Sequence, residues 1–165
     1  MGFMTDPKIE VRNEQPYVGI RSQAEMTTLD RVIPEGLGAV FGWLGARGVD
    51  PAGPPFIRYY VIDMERQLEV EVGVPVAKAL EGEGQIRSGS LPAGRYAALV
   101  YTGIDHGIEA NGALLEWGAA QGLKWDMWDA GDGFGSRVEF FLTNPDDEPD
   151  RDKWETEVAI KLADS

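Results

Sequence analysis

Apolar and polar residues alternate along most of this chain in short runs, interrupted by two stretches of helical spacing. "LEVEVGVPV", "RYAALVY", "RVEFFLT" and "WETEVAIKL" change character at almost every second residue, as strands with two distinct faces do. Leu37, Val40, Phe41 and Leu44 instead recur every three or four residues and predict a helix from Asp30 to Arg47. Pro34 fits that helix only in its first turn, and Gly48 is a natural stop. A second helix is predicted from Asp105, as N-cap, to about Gln121, with Ile108, Leu115 and Ala119 inward and Gly122 closing it. Glycines inside both helices each cost about 1 kcal/mol against alanine, which points to close approach of helix to sheet as the compensation.

The pattern occurs twice. "FGWLGARGVDPAGPPFIRYY" leads to "LEVEVGVPV" in the first half, and "LEWGAAQGLKWDMWDAGDGFGSRVEFF" leads to "WETEVAIKL" in the second. Matching the halves sets Gly48 against Gly122, Arg58 against Glu139 and Glu71 against Glu157. The opening strands are "KIEVRNEQPYVGIRSQ", broken near Pro16, and "IRSGSLPAGRYAALVYTG", broken at "LPAG"; a bulge or bend is expected at each break. The expected fold is α+β: two pseudo-symmetric strand-helix-strand-strand modules, about residues 8–77 and 85–163, within one domain spanning residues 1–165. Their antiparallel sheet carries both helices on one face and leaves the other for a ligand pocket.

Parity assigns the side chains. Val138, Phe140 and Leu142 are placed toward the helices, which sends Glu139 and Phe141 to the opposite face. Val158, Ile160 and Leu162 are likewise placed toward the helices, so Glu157 and Lys161 join Glu139. In the first copy Arg58 and Tyr60 share that face with Glu71, and Arg58 can neutralise Glu71. Glu139 and Glu157 have no comparable partner apart from Lys161. Two carboxylates about 4 Å apart at an effective dielectric near 20 repel by roughly 4 kcal/mol, so such a pair either holds a proton or awaits a cation. The alternative is a solvated face on which both point into water. Tyr17, Tyr60, Tyr96, Trp125 and Trp128 stand near the proposed face and suit an aromatic-walled site, whereas Tyr101 is assigned to the core by parity with Leu99.

Composition narrows the chemistry. A net charge of -13 opposes direct DNA or RNA binding, which depends on basic side chains displacing counterions, and it draws positively charged ligands as well as aiding solubility. The chain has no cysteine, so thiolate catalysis and thiolate metal sites are out of reach. His106 is the sole histidine, and the aspartates of "DMWDAGDGFGS" lack the alternate-residue spacing of a calcium loop, so neither metal nor cofactor is expected. No apolar run approaches the ~18 residues of a membrane span, and "MGFMTDPKIE" has no signal-peptide pattern, which makes the cytoplasm the expected location.

"FGWLGARGVDPAGPPFIRYYVID", "LPAGRYAALVYTG" and "VEFFLTNPDDEPDRDKWETEV", in this order and spacing, resemble the GyrI-like small-molecule-binding proteins, the AraC-type effector-binding domain superfamily. The resemblance spans nearly the whole chain. It implies a pocket between the modules for bulky lipophilic, often cationic aromatic compounds, with a strand glutamate at its heart that falls on Glu139. With the residues that parity and aromatic placement bring to the same face, the expected ligand-facing set is Glu139, Glu157, Phe141, Tyr60, Tyr96, Tyr17, Trp125 and Trp128. Relatives include drug-sensing domains of transcription regulators, a gyrase inhibitor, and hydrolases that open cyclopropane-bearing genotoxins. No helix-turn-helix segment precedes this domain, so a regulatory role would need a separate protein partner. In the hydrolase alternative Glu139 or Glu157 is the base and Tyr60 or Tyr96 the acid or orienting hydroxyl. Inhibition of gyrase through the acidic surface is the third reading.

Overall fold

A computed structural model describes residues 2–63, 67–128 and 133–163, the side chain of Trp128 excepted. The strands are β1 (Lys8–Arg12), β2 (Gln15–Ala24), β3 (Phe56–Ile62), β4 (Leu68–Pro75), β5 (Arg87–Leu91), β6 (Gly94–Thr102), β7 (Met127–Trp128), β8 (Gly133–Phe134), β9 (Arg137–Phe141) and β10 (Glu155–Lys161). Helix α1 (Leu29–Ala46) and helix α2 (Gly107–Ala120) follow β2 and β6. The strands join in one antiparallel sheet ordered β1-β6-β10-β9-β3-β4-β2-β5, with the short β7 and β8 attached beside β3. The α+β fold with two helices therefore stands. Among the described residues no helix is long and apolar enough to cross a membrane.

Each predicted opening strand is two strands rather than one bent strand, and the modules exchange them. β1 pairs with β6 of the second half, and β5 pairs with β2 of the first. Only Asn13 and Glu14 link β1 to β2, although six strand spacings separate these two in the order, about 29 Å if the sheet were flat. Two linking residues span at most roughly 11 Å. The sheet must therefore curl until its ends approach, and the face away from the helices becomes the inside of the curl.

Helix α1 packs on β2 and β4 through Val40 and Leu44, and α2 packs on β6 through Ala110 and Leu114. Between these footprints run β3, β9 and β10. Pro34 lies past the first turn of α1, because that helix is preceded by a 3-10 turn and begins at Leu29. In α2 the buried stripe is Ala110, Leu114 and Gly118 rather than Ile108, Leu115 and Ala119, and Ile108 is 76% exposed. Small residues permit the close approach: a Cβ on Gly118 would stand 2.3 Å from the Trp125 ring, and one on Gly36 would stand 2.3 Å from Val72. The other interior helix glycines, Gly38, Gly42, Gly45 and Gly112, face open space, so sheet contact does not account for them.

Candidate functional site

Strand register places the glutamates. Across β3 and β4, Arg58 pairs with Glu71; across β9 and β10, Phe140 pairs with Glu157 and Glu139 with Val158. If Glu71 answers to Glu157, the counterpart of Arg58 is Phe140, and that of Glu139 is Ile57, its direct neighbour at the centre of the sheet. The expected match of Arg58 with Glu139 is one residue out. A one-residue slip moves every side chain of a strand to the other face. Register partners share a face, so Glu139 lies on the helix-bearing side with Ile57 and Val158, whereas Val138 and Phe140 point into the curl with Glu157. The two glutamates do not share a side.

On the helix side, Glu139 accepts a hydrogen bond from the Tyr101 hydroxyl at 3.2 Å, with the polar side chains of Tyr59 and Asn111 near it. Arg137, two residues earlier on the same face, donates from Nη2 to Asn111 Oδ1 at 2.9 Å and lies over the Phe134 ring, 4.7 Å from its centroid. Asn111 is fixed in turn by its bond to the Gly107 carbonyl, 2.8 Å, within α2. Partly buried Ile33, Leu37, Ile62 and Phe141 continue the apolar surface toward α1. Burial pushes the Glu139 carboxyl above its ordinary range, against the opposing pull of the Tyr101 bond and the Arg137 charge. Burial and the Glu139 charge together push the Tyr59 and Tyr101 hydroxyls upward. Glu139 enters no salt bridge among the described residues.

Inside the curl the carboxylates are already neutralised. Glu71 Oε1 accepts from the Tyr60 hydroxyl at 2.7 Å and from that of Tyr17. Arg58 donates to Tyr17 Oη at 3.1 Å, to the Ser90 carbonyl at 3.1 Å and to the Gly135 carbonyl at 2.8 Å, so it balances Glu71 through a tyrosine. Glu157 pairs with Arg12 at 2.8 Å, and Arg12 also holds Glu10 and lies over the rings of Tyr96 and Phe140. Lys161, expected beside the two glutamates, pairs instead with Asp126 at 3.2 Å. A cleft of about 390 Å³ opens at the mouth of the curl, where Arg12, Pro54, Pro75, Leu91, Tyr96 and Phe140 line it. A pocket thus exists on the face away from the helices, but Glu139 is not part of it.

The nominated residues consequently divide. Glu139 and Phe141 stand together on the helix side, and Glu157, Tyr60, Tyr96 and Tyr17 lie inside the curl. Trp125 packs beneath α2 against Gly118 and bridges to Leu162. The side chain of Trp128 falls outside the described residues. Tyr59, Asn111 and Arg137, which lie around Glu139, are not among the nominated residues, and Tyr101, assigned to the core, sits in it beside them. Counting back from the Glu71 and Glu157 match would have found the two tyrosines, because it restores Glu139 to the parity of Tyr59 and Tyr101. Arg137, at the same parity as Glu139 in "RVE", needed only the correct face.

Solved structures share this architecture. EcmrR bound to DNA is 17% identical with a TM-score of 0.81, and the alignment covers 100% of this chain but 59% of EcmrR. The EcmrR C-terminal domain alone is also 17% identical, covered at 97% and 98%, with a TM-score of 0.77. A hydrolase from Listeria innocua is 10% identical over 95% and 91%, with a TM-score of 0.66. SAV2435 bound to tetraphenylphosphonium is 7% identical over 96% and 94%, with a TM-score of 0.63. At these identities the likeness is one of fold. No curated protein matches the sequence. Residues 5–163 match the model of the GyrI-like small molecule binding domain, and the chain belongs to that family.

Proposed function

We propose that this chain binds bulky lipophilic small molecules carrying a delocalised positive charge, and that they rest over Glu139 between α1 and α2. One observation carries the reading. Of the three glutamates at equivalent or adjacent places on the central strands, Glu157 is ion-paired with Arg12 and Glu71 is linked to Arg58 through Tyr17, while Glu139 makes no salt bridge among the described residues, feels Arg137 only from a distance and keeps a raised carboxyl. A partly buried carboxylate without a salt-bridge partner is costly, and a ligand cation relieves that cost. A soft cation spread over an aromatic body also suits the tyrosines and Phe141 around it. SAV2435, of the same fold, is seen with tetraphenylphosphonium, a cation of this kind.

The test is calorimetric titration with tetraphenylphosphonium of the unmodified protein and of Glu139→Gln. Binding weakened in the variant supports the charge pairing, and equal affinities refute it.

A second reading, hydrolysis, is favoured by Tyr101 beside Glu139. Glu139 would take a proton from water as the water oxygen attacks a cyclopropane carbon. The ring bond breaks toward a conjugated carbonyl, and the Tyr101 hydroxyl protonates that oxygen. Tyr60 and Tyr96, inside the curl, would then have no part in the step. A water adduct found by mass spectrometry after incubation with a cyclopropane-bearing alkylator would establish turnover.

A further inference from the structure

Arg137 gives the Glu139 site a second, opposite charge. The residue is 9% exposed, and its side chain makes one hydrogen bond among the described residues, to the neutral Asn111. It forms no salt bridge among them, although a buried guanidinium ordinarily seeks a carboxylate. Asn111 holds its plane against the Phe134 ring, so the group is aimed rather than free to swing. Arg137 and Glu139 lie two residues apart on one strand face, a separation of roughly 7 Å along the strand. A ligand whose cationic centre sits over Glu139 therefore has a guanidinium beside it. A purely cationic molecule meets repulsion there, whereas one with an acceptor on that side gains a charge-assisted bond.

We propose that Arg137 sets the ligand class of this site: compounds that combine a delocalised cation with a carboxylate or carbonyl oxygen on the Arg137 side bind in preference to simple cations. The inference rests on the binding reading given above and deepens it. Arg137 acts as a specificity-determining residue that contacts the ligand's acceptor, and Asn111 acts as its positioning residue. The counterpart of Arg137 in the first half is Pro55, by the same register that matches Glu139 with Ile57, so this charge pair belongs to the second half alone.

A matched pair of dyes tests it: rhodamine B, a zwitterion near neutral pH, and its ethyl ester, the same cation without the carboxylate. Fluorescence titration of the unmodified protein should show rhodamine B bound about tenfold more tightly than the ester, the worth of one charge-assisted bond. Arg137→Gln should bring the two affinities within about twofold of each other. Glu139→Gln should weaken both dyes while leaving the preference in place. A loss of packing alone would lower both affinities together and would not move their ratio. Equal binding of the two dyes by the unmodified protein, or a preference retained in Arg137→Gln, overturns the inference while the binding reading stands. Failure of both dyes and of tetraphenylphosphonium to bind overturns the two together. Should Arg137→Gln not fold, Asn111→Leu, which removes the bond aiming the guanidinium, must reduce the preference, and a full preference in that variant also refutes the proposal.

Discussion

Replacing Glu139 by glutamine should make the protein more stable and a worse receptor for cations. Gln keeps the volume and still accepts the Tyr101 hydroxyl bond at 3.2 Å, so the substitution removes the charge, with its attraction to Arg137, and little else. In the native protein, partial burial costs the carboxylate several kcal/mol, and the hydrogen bond from Tyr101 returns about 1.5–3 kcal/mol, with the charge of Arg137 adding to it. The raised carboxyl says that repayment is incomplete. We expect Glu139→Gln to gain about 1 kcal/mol at pH 7, which is about 2–4 °C in Tm for a chain of this length. The sign with pH follows from linkage. A carboxyl raised on folding contributes most stability below its unfolded value and loses it as pH rises through its folded value, so the variant's advantage should vanish in acid and grow toward neutrality. For the ligand, a unit charge about 5 Å from the carboxylate at an effective dielectric near 20 gains roughly 3 kcal/mol, of which about 2 should survive desolvation, or roughly 30-fold in Kd. Tetraphenylphosphonium affinity of the native protein should fall in acid while that of the variant stays flat. Urea unfolding and calorimetry from pH 4 to 8 measure both arms. A variant less stable at pH 7, or one that binds the cation as well as the native protein does, refutes the reasoning.

Three further outcomes follow from the geometry. Glu157→Gln, on the inner face and already paired with Arg12, should leave tetraphenylphosphonium affinity within about twofold, read by the same titration; a loss like that of Glu139→Gln would place the site inside the curl. Arg58→Met strips the guanidinium that bonds Tyr17, Ser90 and Gly135 and leaves Glu71 uncompensated, so urea unfolding should show a loss of about 3–5 kcal/mol. Gly38→Ala, in an open stretch of α1, should gain about 0.5–1 kcal/mol, whereas Gly36→Ala drives a methyl to 2.3 Å from Val72 and should lose about 1–3 kcal/mol, so thermal melts of the two variants should move in opposite directions.

The strands, the helices and their repetition were legible because each has its own hydrophobic period. The face of Glu139 was not, and the reason lies in β9 itself. A strand covered on both sides loses the contrast that parity relies on. Phe140 packs inside the curl with Tyr17 and Tyr96 neighbours, and Phe141 packs outside near α1, so "RVEFFLT" offers an apolar set on either side of Glu139. Leu142, counted as a third member of the wrong set, lies beyond the strand end and is exposed. Nor does any local pattern announce that β1 and β5 change partners, since the exchange follows from closing the sheet across two-residue links. In α2 the largest apolar side chain of the first turn, Ile108, faces outward because Ala110 and Gly118 make the close contact, so size misled where small residues set the fit. What the sequence does retain is the pairing of charges across neighbouring strands. Arg58 opposite Glu71 fixes the first hairpin, and Glu157 anchors the second by analogy. Taking register from those charges, instead of from apolar parity, leaves Glu139 as the central-strand carboxylate with no partner across the ladder, on the same face as Arg137, Tyr59 and Tyr101.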